Sequence, residues 1–134
     1  MSVNTRRVVV ALVTCLVLFA AACGSSKPKT TPVAPPVDDR GKTAVEIDAN
    51  QNQFMPASII VDAGTKITWK NTDTVAHDVK KSADAVDFGA PFGVQASQFG
   101  PGASYSFTFS RPGTYFYTCT IHTLMNGKVQ VVAK

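Results

Sequence analysis

The sequence predicts an all-β fold, a sandwich of about seven to eight strands over residues 43–134, behind two non-globular segments. Three observations carry that prediction. Short β-branched and aromatic runs recur at close intervals, clusters of Gly, Pro, Asn and Asp separate them, and no stretch keeps a 3.6-residue apolar period. In chain order the runs are 43–48, 58–62, 66–70, 77–81, 104–110, 114–119 and 128–133. Ile67-Thr68-Trp69, Tyr105-Ser106-Phe107-Thr108-Phe109 and Val129-Gln130-Val131 alternate apolar with polar, so each strand has one face for a core and one for water. Ala63-Gly64, Asn71-Thr72-Asp73, Gly100-Pro101-Gly102, Arg111-Pro112-Gly113 and Asn126-Gly127 are the turn signals between them. Trp69, Phe107, Phe109, Tyr115, Phe116, Val129 and Val131 are the expected core. Alternation places Tyr115, Tyr117 and Cys119 on one face of their strand, with Phe116 and Thr118 on the other. Residues 82–99 have no clear period and read as a long connection holding a short strand or helical turn.

Residues 1–22 begin with Arg6 and Arg7 and continue as an apolar run from Val8 to Ala22, broken by Thr14 and Cys15. That run is shorter than the roughly 18 residues a spanning helix requires, so it reads as a secretory signal that leaves the mature chain. Its end, Leu18-Phe19-Ala20-Ala21-Ala22-Cys23-Gly24-Ser25-Ser26, resembles a bacterial lipoprotein signal, with Ala20 standing where Leu is usual. The resemblance implies that Cys23 becomes the N-terminus and carries lipid; the same stretch also fits ordinary cleavage after Ala22. Residues 23–42 are rich in Ser, Thr and Pro and lack a hydrophobic period, which suits an extended spacer between membrane and domain. Losing Arg6 and Arg7 takes Lys+Arg from 13 to 11 against 9 Asp+Glu, so the formal charge falls from +4 to +2. A balance this slight gives no support to nucleic-acid binding.

The chain has three cysteines and two histidines. Cys15 departs with the signal and Cys23 is the acylation candidate, which leaves Cys119 as an unpaired thiol in an oxidising compartment. Cys119, His122 and Met125 are spaced three residues apart, and His77 lies beside another strand-like run. Two imidazoles, a thiolate and a thioether are the donor types of a mononuclear blue-copper centre. Each residue alone reads more simply, as a surface histidine, a small buried thiol or a core methionine. Zinc would need a second Cys or His pair, and the chain has none.

Two ordered motif halves give the combination its weight. Phe54-x-Pro56-x-x-Ile59-x-Val61-x-x-Gly64-x-x-Ile67-x-Trp69-x-Asn71-x-Asp73-x-x-x-His77-x-Val79 forms the first half. The second runs from Gly102 through Pro112-Gly113-x-Tyr115-x-Tyr117-x-Cys119-x-x-His122-x-x-Met125 to Val131. Together they resemble the cupredoxins, within the plastocyanin and amicyanin-like group, and the short Cys-x-x-His-x-x-Met loop is of the amicyanin type. The resemblance implies a Greek-key β-sandwich. It also implies one copper ion bound in a plane by His77, Cys119 and His122, with Met125 as a long axial ligand. Two residues depart from the pattern. Asp78 follows the first histidine where Asn is usual, and Ile121 stands where Pro is common.

The expected function is a membrane-tethered type 1 copper protein that passes single electrons between extracytoplasmic redox proteins. It is read as a monomer and not an enzyme, since a second, catalytic copper would need further histidines. A copper chaperone or storage protein is the alternative, although such sites are usually Met- or His-rich. Ile121, Thr123 and Leu124 around His122 are expected either to dock partners or to pack in the core.

Overall fold

The computed structural model describes residues 34–82 and 91–134, and Pro32–Lys134 form one compact unit. The signal segment, Cys23, most of the spacer and residues 83–90 of the long connection lie outside the described residues. The described strands are β1 (Val37–Asp38), β2 (Ala44–Asn50), β3 (Gln53–Met55), β4 (Ser58–Asp62), β5 (Lys66–Asn71), β6 (Lys80–Lys81), β7 (Ser104–Thr108), β8 (Gly113–Thr118) and β9 (Asn126–Val132), with a 3₁₀ turn at Ala96–Gln98. They form two mixed sheets, ordered β1-β4-β9-β8-β6 and β3-β2-β5-β7. Strands β2 and β5 pair in parallel, as do β4 and β9, while β8 and β9 form an antiparallel hairpin.

Alternation explains how the sheets share a core. Val45, Ile47 and Ala49 of β2 and Ile67 and Trp69 of β5 face Ile59 and Val61 of β4, Tyr115 and Tyr117 of β8, and Val129 and Val131 of β9 in one buried cluster. Trp69 is fully buried and meets Tyr117 edge-on at 5.4 Å across the sheets. Burying such a side chain contributes about 1.5–3 kcal/mol. Phe107 is partly buried against this cluster. Phe116, expected in the core, is instead 45% exposed, because it lies on the opposite face of β8 from Tyr115 and Tyr117.

Three elements differ from the sequence reading. Strand β3 was not expected; Gln51 and Asn52 both adopt positive φ, 51° and 56°, and turn β2 tightly into β3. Asn52 suits such a turn, but Gln51 does not and no glycine follows, so the hairpin left only a weak sequence signal. Strand β1 lies within the stretch read as spacer, paired in parallel with Ile59 and Ile60 of β4, so ordered structure begins before residue 43. The run at 77–81 pairs as a strand only at Lys80 and Lys81. Its earlier residues bond elsewhere: His77 N–H donates to the Phe99 carbonyl, and Val79 exchanges both backbone bonds with Val94.

Candidate metal centre

The first donor sits on the connection after β5. Asn71, 1% exposed, closes this connection by donating from Nδ2 to the Val75 and Phe99 carbonyls while Oδ1 accepts the Asp73 N–H. The segment that receives it is held close by Gly93, whose φ is 139° and whose missing Cβ leaves room for the Val79 carbonyl. Gly93 N–H donates to the Tyr105 hydroxyl at 2.7 Å. These bonds leave His77 completely buried, with Nδ1 facing the other donors and Nε2 3.2 Å from Asp73 Oδ2. The Thr74 N–H, together with the His77 ring and the Asn52 N–H, holds the Asp73 carboxyl below the usual carboxylate range against the opposing effect of desolvation.

The other donors come from the turn of the β8–β9 hairpin. Thr118 and Asn126 form its last strand pair. One further rung, Cys119 N–H to the Met125 carbonyl at 2.9 Å, draws the two ends of the loop together. Thr118 Oγ1 donates to that same carbonyl. Cys119 is 2% exposed and Met125 fully buried, while His122 between them is partly exposed. Asp78 ties this loop to the first: its N–H points at Cys119 Sγ at 3.5 Å, and its carboxylate accepts the Thr120 N–H at 2.7 Å and the Thr120 hydroxyl. A carboxylate only accepts, and Thr120 supplies two donors. The departure from Asn is thereby satisfied locally.

The pieces converge on a small triangle. His77 Nδ1 lies 3.0 Å from His122 Nδ1 and 3.9 Å from Cys119 Sγ, and the two atoms of the loop are 3.5 Å apart. A point equidistant from the three donors lies about 2.0 Å from each, the length of an imidazole bond to a first-row metal, and a shift away from Cys119 Sγ would bring it toward the roughly 2.3 Å of a thiolate bond. Cys119 is the free cysteine among the described residues and has no disulfide to complete. The donor types and their spacing fit a metal ion.

Residues 41–132 match the copper binding proteins of the plastocyanin/azurin family. The chain belongs to that family. Amicyanin-alpha of Methylorubrum extorquens is 34% identical over 89 residues, covering 66% of this chain and 71% of that protein. Plastocyanin B'/B'' of Nicotiana tabacum is 39% identical over 89 residues, covering 58% of this chain and 86% of that one. Among solved structures, a copper-containing nitrite reductase from Thermus scotoductus superposes with a TM-score of 0.59 at 28% identity, over 66% of this chain but 22% of the reductase. The fold is thus that of a cupredoxin, and His77, Cys119, His122 and Met125 form its candidate copper site.

This cupredoxin has one site residue that the sequence reading quoted without giving it a task. Asp73, four residues before His77, reaches the far nitrogen of that ring. Its only sequence signal was that spacing within the motif. Of the residues expected either to dock partners or to pack in the core, Ile121 is 52% and Leu124 88% exposed, so neither packs in the core.

Proposed function

We propose that this protein is a membrane-tethered type 1 copper protein, carrying single electrons between extracytoplasmic redox proteins. The observation that supports it most is the triangle of His77 Nδ1, Cys119 Sγ and His122 Nδ1, set by backbone hydrogen bonds at one end of a sandwich. His77, Cys119, His122 and Met125 would hold the copper. Bound copper supplies a one-electron couple that thiolate and imidazole donors together support. Burial of Cys119 and His77 excludes water from the inner side, and the Asp78 N–H steadies the thiolate. Because the loop is closed by β8–β9 pairing, its donors need little rearrangement between oxidation states.

His122 is the donor nearest the surface, flanked by exposed Ile121 and Leu124. Leu124 also holds a left-handed φ of 63°, an unfavourable setting for a leucine, which suits selection for partner docking more than for stability. The chain's two histidines are both in the site, so a second, catalytic copper has no imidazole to bind it, and we read the protein as a carrier and not an enzyme. Residues 1–22 serve as the signal, and the segment from an acylated Cys23 up to β1 serves as the tether of a monomeric copper domain.

Adding Cu(II) to the purified mature protein should produce an intense thiolate-to-copper absorption and a reversible one-electron wave. Cys119→Ala should abolish the colour, whereas Met125→Ala should keep copper and shift the potential. Colourless binding would instead favour a chaperone or storage role, and no binding at all would defeat both.

A further inference from the structure

Asp73 lies outside the four-donor set, yet it makes a contact that bears directly on it. A neutral imidazole carries one proton, and its placement decides which nitrogen has a lone pair for a metal. His77 Nδ1 and His122 Nδ1 are 3.0 Å apart, within hydrogen-bonding range. A proton on His77 Nδ1 would therefore bond His122 and fill the space between the donors. On the opposite edge of the His77 ring, Asp73 Oδ2 stands 3.2 Å from Nε2, and its side chain is 16% exposed. Backbone donors hold that carboxylate, and its own main chain is tied to Asn71. Oδ1 accepts the Thr74 N–H at 2.7 Å, Oδ2 also faces the Asn52 N–H at 3.4 Å, and the Asp73 N–H binds Asn71 Oδ1.

We propose that Asp73 is a positioning residue for the copper site, holding the His77 proton on Nε2 so that Nδ1 is committed as a ligand and made more electron-rich. This rests on the copper assignment above. An anionic partner behind a ligating imidazole raises its basicity, and losing such a partner typically weakens metal affinity by about 10–100-fold. The gain should favour Cu(II), the more highly charged state, over Cu(I).

Two variants separate charge from orientation. Asp73→Asn keeps an oxygen able to accept the Nε2 proton but removes the charge; Asp73→Ala removes both. Imidazole nitrogen chemical shifts of the metal-free protein, at a pH where both rings are neutral, read the tautomers without copper. The wild type and Asp73→Asn should show His77 protonated at Nε2, and Asp73→Ala a mixture. Cu(II) affinity should fall about tenfold or more in both variants with Cu(I) affinity changed less. If Cu(I) affinity were unchanged, a tenfold loss is a 59 mV rise in reduction potential. Had Asp73 only a turn-forming role through Thr74, both variants would melt earlier while the tautomer and the Cu(II)/Cu(I) preference stayed as in the wild type, and that result would overturn the proposal. A wild type that shows the Nε2 tautomer but fails to form a blue centre would defeat the copper reading, not the placement of the proton.

Discussion

At the scale of single residues, Asp78 shows how a departure from a family pattern is absorbed. The side chain is 3% exposed, and an unpartnered carboxylate there would carry a large desolvation cost. Thr120 meets both oxygens, through its N–H and its hydroxyl, while the Asp78 N–H still reaches Cys119 Sγ. The geometry that an Asn would give is therefore retained, with a negative charge added beside the thiolate. That charge should favour Cu(II). Asp78→Asn can keep the Thr120 N–H bond through its amide oxygen while the Thr120 hydroxyl accepts from its amide nitrogen. The variant should fold normally and show a higher reduction potential than the wild type, by roughly a tenfold change in Cu(II)/Cu(I) preference, since a one-electron tenfold change is about 59 mV. Voltammetry of the two proteins compares them directly; a lower potential in the variant would contradict this effect of the charge.

Among the elements, the β8–β9 hairpin carries most of the site, and its register depends on a glycine. Tyr117 of β8 pairs directly with Gly127 of β9, and a methyl group built on Gly127 would overlap the Tyr117 ring. The ring has nowhere to go: it is fully buried, with Phe54 edge-on at 4.9 Å and Trp69 at 5.4 Å. Gly127→Ala should therefore destabilise the fold by about 3 kcal/mol, at the upper end of overpacking costs, and lower the denaturant midpoint accordingly. A midpoint equal to that of the wild type would show that the ring does not rest on Gly127. The sequence signalled Asn126-Gly127 only as a turn, whereas the structure places both residues at the start of β9. That contrast is general here. β-branched runs such as Ser58–Asp62 were legible in full because they are bounded by clear turn or breaker residues, and the four candidate donors could be named because their chemistry is sparse in the chain. What could not be read depended on partners far away in sequence. β3 arises from a Gln-Asn turn whose signal is weak without a glycine, β1 from the edge of β4, and the truncation of 77–81 from carbonyls at Val94 and Phe99. The task of Asp73 was hidden for a related reason: its spacing was visible, but not which nitrogen of His77 it would meet.

For the molecule as a whole, the proposed membrane tether would be lipid on Cys23. Among the described residues no helix is long and apolar enough to cross a membrane. One acyl chain binds only marginally, whereas several on one residue anchor durably, because each buried CH₂ adds about 0.8 kcal/mol. Anchoring and copper binding should then be separable, since Cys23 is remote in sequence from every candidate ligand and Cys119 needs no disulfide partner. Expressed in a bacterium that processes lipoproteins, the wild-type chain should sediment with membranes and be released by detergent. Cys23→Ser should appear in the soluble extracytoplasmic fraction at comparable yield, with the blue absorption and reduction potential of the wild type. Intact mass would report the same event independently, the wild type carrying acyl groups on a chain beginning at Cys23. A Cys23→Ser protein that stays with membranes would end the lipid-anchor reading while leaving the copper site intact. A soluble variant that lost its colour would instead tie the N-terminal segment to the fold, and β1, which joins that segment to β4, is where such a dependence would enter.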